Sequence, residues 1–219
     1  MIMFANQPIS QQLEAARIAI TNARDVPTIR NALSEYGYNE EKLQGGFLLY
    51  ETALSAQQQQ KAEYGDQYNA TDQLNQNWET AKASYNKLLK IARVAFKDNP
   101  GIAGTLALNG AREATLSGWL LQAQQFYTNA LANPDILSAL ASYGITEEKI
   151  ALAKADTEAV VAAKSLQTKE KGEAQSATQT RNQALEELRD WMRDFIEIAR
   201  IALAEQPQLL ETLGIVEPS

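Results

Sequence analysis

Two arginines stand where charge is expensive. Arg93 lies within Leu88-Leu-Lys-Ile-Ala-Arg-Val-Ala-Phe96, and Arg200 within Phe195-Ile-Glu-Ile-Ala-Arg-Ile-Ala-Leu203. A guanidinium on a buried helix face must find acceptors, because an unpaired buried charge is strongly destabilising. Two chemistries would satisfy it. One is an anion or carboxylate ligand, held at a site that occurs twice in the chain. The other is a structural ion pair with Glu40, Glu41, Glu51 or a carboxylate of the other half.

The acids offer a second possibility. Glu40 and Glu51 are eleven residues apart, about three helical turns, so they share one helix face, and Glu147 and Glu158 repeat the spacing. Four facing carboxylates could hold a hard cation through oxygen ligands. The competing reading is that Glu40-Glu41 and Glu147-Glu148 are first-turn acids that complement the positive end of a helix dipole. Tyr64 and Tyr68, beside the glutamine run Gln57–Gln60, form a candidate interaction surface. The second half of the chain carries Lys171 and Gln175 at the corresponding positions, which argues against a role common to both halves. Trp78, Trp119, Trp191, Phe126, Tyr127 and Phe195 fall at apolar helical positions and read as core.

What is missing narrows the chemistry further. The 219 residues include no cysteine and no histidine. Thiolate nucleophiles, Cys- or His-based metal sites, the Ser–His–Asp triad and the Glu-x-x-His di-iron motif are therefore impossible. A net charge of −7 without a basic run speaks against nucleic acid and anionic membranes as partners. Gly101-Ile-Ala-Gly104 and Gly45-Gly46 lack the Gly-Lys-Ser/Thr ending of a phosphate loop. No stretch approaches the roughly 18 apolar residues of a membrane span, and the N-terminal residues do not read as a signal peptide, so a cytoplasmic setting is expected.

The elements that would position these residues come from a repeat. Tyr36-Gly37 followed by Glu40-Glu41-Lys42 returns as Tyr143-Gly144 followed by Glu147-Glu148-Lys149, an offset of 107. The same gapless offset pairs Pro27 with Pro134, Gly65 with Gly172, Ile91-Ala92-Arg93 with Ile198-Ala199-Arg200, and Pro100 with Pro207. The period is too long for a solenoid, so each copy is a multi-helix unit. One domain over 1–219 is expected, made of repeat 1 (9–109) and repeat 2 (116–216).

Residues 28–99 and 135–206 contain no proline and are rich in Ala, Glu, Gln, Lys and Leu, which reserves them for long helices. Asn133-Pro134 reads as N-cap and first helical residue, Gly144 as a left-handed stop, and Asn39 and Thr146 as caps of the next helices. Tyr36 and Tyr143 are expected to pack over those stops. One helix carries Leu43, Phe47, Tyr50 and Leu54, matched by Ile150, Ala153, Thr157 and Val160. A later one carries Arg181, Leu185, Leu188, Met192, Phe195, Ala199 and Ala202 at seam spacing. Its last turns are apolar on nearly every side and are expected to be buried all round. The polar stretches 57–77 and 167–182 read as the distal turns of helical hairpins, the alternative being one long helix kinked near the glycine.

The expected fold is an all-α, internally duplicated, pseudo-twofold bundle. Two long helical hairpins would give a four-helix up-down core, with shorter helices near 10–24, 28–36, 113–132 and 135–143. The expected function is a non-enzymatic scaffold or protein-interaction module, with a homo-oligomer also open and no cofactor. The alternative is a bundle that binds a small ligand or metal through Arg93, Arg200 and the matched glutamates.

Overall fold

The computed structural model describes residues 4–215, so Val216, the expected end of repeat 2, lies outside the described residues. After a 3-10 turn at Phe4–Asn6 come eight helices. They are α1 (Ile9–Asp25), α2 (Pro27–Glu35), α3 (Glu40–Ala95), α4 (Pro100–Thr105), α5 (Leu116–Ala132), α6 (Pro134–Ala141), α7 (Glu147–Ala202) and α8 (Gln208–Thr212). There is no strand among the described residues, and the fold is all-α. Adding 107 to the bounds of α3 gives those of α7, and adding it to α1 gives those of α5.

The boundaries follow from local chemistry. The Asn133 side chain accepts from the amides of Asp135 and Ile136, and Pro134 opens α6. Asn39 accepts from the Lys42 amide at 3.0 Å and Thr146 from the Lys149 amide at 3.4 Å, satisfying donors that a helix start leaves open. Gly37 and Gly144 take φ of 80° and 73°, the left-handed conformation that ends α2 and α6. The residues that pack behind these stops are Tyr38 and Ile145, both 2% exposed. Tyr36 and Tyr143, expected there, are about half exposed: they sit one residue before the glycine, on the outer side of the turn.

The hairpin expectation is corrected. α3 and α7 each run for 56 residues without interruption, through both stretches assigned to distal turns. With no proline in either span, the chain meets no steric stop, and one interior glycine costs a helix only about 1 kcal/mol. Gly65 and Gly172 sit in open surroundings, where the missing side chain removes no contact.

The described chain resolves into two compact units. Unit 1 comprises residues up to Gly65 and from Gly172 onward; unit 2 comprises Asp66–Lys171. The matched glycines thus mark where each long helix passes from one unit to the other. Each unit combines the first half of one long helix with the second half of the other.

In unit 1, α1, α2 and α8 pack with the first half of α3 and the second half of α7. The core there comprises Ala16, Ile20, Ile29, Leu33, Tyr38, Leu43, Leu185, Leu188, Met192, Phe195 and Leu210. In unit 2, α5 and α6 pack with the second half of α3 and the first half of α7, around Tyr85, Leu89, Trp119, Phe126, Tyr127, Leu140, Ile150 and Val160. These two half-helices run antiparallel: Gln167 reaches Thr71, Asn77 reaches the Ala159 carbonyl, and Ser84 reaches Asp156. The apolar ends of the long helices are not buried all round, since Val94 is 57% and Ile201 54% exposed. A helix on the rim of a small bundle has more apolar surface than its neighbours can cover.

Candidate functional site

Arg93 finds carbonyls, not a carboxylate. It leaves the last turn of α3 and donates from Nε to the Leu108 carbonyl at 2.7 Å and from Nη2 to the Gly110 carbonyl at 2.8 Å. Arg112, which the sequence reading did not single out, converges on the same loop. Its Nη1 donates to the Ala107 carbonyl and the Tyr85 hydroxyl, both at 2.8 Å. Its Nη2 donates to the Asn109 carbonyl at 2.7 Å and the Gly110 carbonyl at 3.4 Å. Two guanidinium groups therefore meet on one carbonyl oxygen. Among the described residues, neither forms an ion pair with a carboxylate. The Arg112 Nε is buried and has no acceptor.

The loop under this clamp is strained. Ala107 has φ 51°, a left-handed conformation that a Cβ disfavours by roughly 1–2 kcal/mol, and Gly110 follows at φ 74°. Five arginine hydrogen bonds to the carbonyls of 107–110 hold the turn in place. The only sequence signal for Arg112 was its position in the connection between repeats, where no helical pattern gives a residue a face.

Behind the clamp lies a buried tyrosine pair. Tyr85 and Tyr127 are both 0% exposed, and their rings are edge-to-face with centroids 6.0 Å apart. Burial pushes both hydroxyls above the ordinary phenol range, Tyr127 far above it. Arg112 and Arg93 oppose the shift at Tyr85. Trp119 and Phe126 complete the cluster, with ring centroids 5.9 and 5.6 Å from Tyr85.

The other candidates are not gathered with Arg93. Arg200 lies in unit 1 and contacts Glu197 at 3.2 Å, one turn back on its own helix. Glu40 and Glu51 are exposed in unit 1, while Glu147 and Glu158 are exposed in unit 2. Glu158 is engaged with Lys154 on the next turn. Tyr64 and Tyr68 are 37% and 64% exposed along the continuous α3, Tyr64 in unit 1 and Tyr68 in unit 2. The assigned aromatics are core or core-lining: Trp119, Phe126, Tyr127 and Phe195 are buried, and Trp78 and Trp191 pack against the clusters.

A second feature of unit 2 was also missed. On α7, Leu152, Ala155, Ala159, Ala162 and Leu166 are all exposed, Leu152 by 68%. Their spacing is 3, 4, 3, 4, the seam spacing of a coiled coil, on a different face from the buried Ile150, Ala153, Thr157 and Val160. Beside it runs a shallow cleft lined by Asn77, Thr80, Asp156 and Ala159. The second stripe was legible in the sequence, but alanine made it faint next to the stronger one. No helix among the described residues is long and apolar enough to cross a membrane. No family model matches this chain, and neither a curated protein nor a solved structure matches it, so its own geometry supplies the functional argument.

Proposed function

We propose that the chain is a non-enzymatic helical interaction module, and that the exposed α7 face from Leu152 to Leu166 receives an amphipathic helix of a partner protein. The observation that carries this is a second apolar seam at coiled-coil spacing, exposed among the described residues. Three central alanines permit close approach of another helix, and a leucine at each end provides a knob.

The composition of the face selects its occupant. Parallel pairing with a second copy would stack alanine on alanine in three layers and leave them underfilled. Antiparallel pairing about Ala159 would bring the two Glu158 carboxylates side by side. A foreign helix with large apolar residues opposite the alanines avoids both penalties. Lys154 and Glu158 satisfy one another on the flank, and Asn77 and Thr80 line the other edge, so the complementary helix would carry an uncharged seam.

The test is a photo-crosslinking residue in place of Ala159 in the full chain, expressed in its native cell. The expected adduct is one partner protein, crosslinked through a segment with seam-spaced large apolar residues. Leu152→Glu with Leu166→Glu should abolish it, while circular dichroism and thermal stability stay unchanged. An adduct indifferent to the two substitutions, a second copy as the adduct, or no adduct at all would overturn the proposal.

A further inference from the structure

The clamp on the loop after α4 has more donors than the fold uses. Arg93 Nη1 donates to no group among the described residues, and Arg93 is exposed. The backbone amides of Asn109, Gly110, Ala111 and Arg112 have no acceptor among the described residues, whereas the flanking amides of Leu108 and Glu113 are taken by the Ala103 carbonyl and by Gln122 Oε1. Two guanidinium groups and four consecutive open amides thus meet at one loop, and among the described residues no carboxylate pairs with either guanidinium. An arginine kept only to brace a loop would gain from a neighbouring acid, because two like charges converging on one carbonyl repel each other. The Arg112 Nε is buried and has no acceptor among the described residues, while both its Nη atoms are engaged by the loop carbonyls and the Tyr85 hydroxyl.

We infer that residues 109–112, with Arg93 and Arg112, form a binding site for a phosphate-class oxyanion. A charged guanidinium N–H and a run of open backbone amides are both groups that recognise tetrahedral oxyanions. The anion would accept from Arg93 Nη1 and the open amides, and would neutralise the two arginines. Arg200, the repeat-matched residue, contacts Glu197 instead, so the site belongs to unit 2. It is independent of the α7 face proposed above, because none of its residues lies on α7.

Titration of the full chain with inorganic phosphate, followed through backbone amide resonances, tests it. Chloride at matched ionic strength is the control, and sulfate is a second arm. Saturable shifts confined to Asn109–Arg112 are expected with phosphate and sulfate but not chloride. Arg93→Gln, which keeps one donor for the Leu108 carbonyl, should weaken phosphate binding about tenfold or more. Because this variant could loosen the loop, its Ala107 and Leu108 resonances serve as the folding check. Arg93→Lys supplies a second readout, since it keeps the charge and should retain part of the affinity. Non-saturating shifts, shifts spread over the surface, equal shifts in chloride, or wild-type affinity in a folded Arg93→Gln would overturn the assignment.

Discussion

Unit 1 and unit 2 are built from helices that correspond at the offset of 107, and they solve their packing differently. In unit 1, Trp191 stacks on Phe195, with centroids 5.1 Å apart, and lies directly over Gly46, where a Cβ would come within 2.3 Å of the indole. The corresponding residues of unit 2 are Ser84 and Ala153, and there Ser84 donates to Asp156 instead. Unit 2 recovers the lost aromatic volume from α5, where Trp119, Phe126 and Tyr127 stand at the positions of Gln12, Ala19 and Ile20. Unit 1 sets a stacked Trp191–Phe195 pair on its long helix, whereas unit 2 sets three rings of α5 around Tyr85 of α3. A core can be filled with the assignment of large and small residues shifted between its elements.

The exposed faces differ in the same way. The positions matching Leu152, Ala155, Ala159, Ala162 and Leu166 are Gly45, Leu48, Thr52, Ser55 and Gln59, a mostly polar set. Unit 1 therefore does not repeat the apolar seam, and the partner proposed above should engage unit 2 alone.

Two matched substitutions would break or sharpen this contrast. Gly46→Ala would help most exposed helices, but against Trp191 it should destabilise the protein by about 2–3 kcal/mol in urea unfolding. The matched Ala153→Gly should cost only about 1 kcal/mol, through helix propensity. A neutral or stabilising Gly46→Ala would show that the indole moves aside and that the two units are less distinct than they look.

Alkaline pH probes the aromatic side of the comparison. Tyr127 and Tyr85 have raised pKa values because burial penalises the phenolate. Their contribution to stability is whole below the unfolded-state value near 10 and is lost as pH rises from there toward the folded-state value. Tyr127, the more strongly shifted, removes roughly 1.4 kcal/mol per pH unit above about 10 until its folded-state value is reached. Tyr127→Phe should therefore make unfolding free energy fall less steeply than wild type above that pH. Equal slopes would mean that the hydroxyl ionises without penalty. Tyr38, also raised by burial, gives unit 1 one such group against two in unit 2.

The smallest expected effect concerns the loop after α4. Ala107 holds a left-handed backbone where the second repeat has Gly214, at φ 70°. Ala107→Gly should stabilise the chain by up to about 1 kcal/mol and Gly214→Ala should destabilise it by a similar amount, both read from thermal unfolding. If Ala107→Gly is neutral, the arginine clamp already offsets the strain, and combining it with Arg93→Gln would reveal the difference.

Much of the local structure was legible because caps act within a few residues. Asn39, Thr146, Asn133 and the glycines at 37 and 144 fall where their chemistry places them. The polar spans 57–77 and 167–182 were misread as turns because polarity was allowed to stand for reversal. A solvated helix is polar on most sides too, and without proline or a cap it continues. Arg93 was legible as a residue needing partners. Its acceptors were not, because backbone carbonyls in an irregular loop carry no sequence signature, and Arg112 was invisible for the same reason.

Composition, caps and proline placement by themselves determined an all-helical chain whose elements recur at an offset of 107, and the absence of Cys and His removed whole families of chemistry. These are properties of side chains and their immediate neighbours, and they survive without a fold. Tertiary structure decided which half of each long helix packs with which, which face of α7 stays open, and what the arginines hold. The periodicity of a helix specifies the face it will bury but not the surface that covers it, and that choice is made only when separate segments meet and compete for the same apolar area.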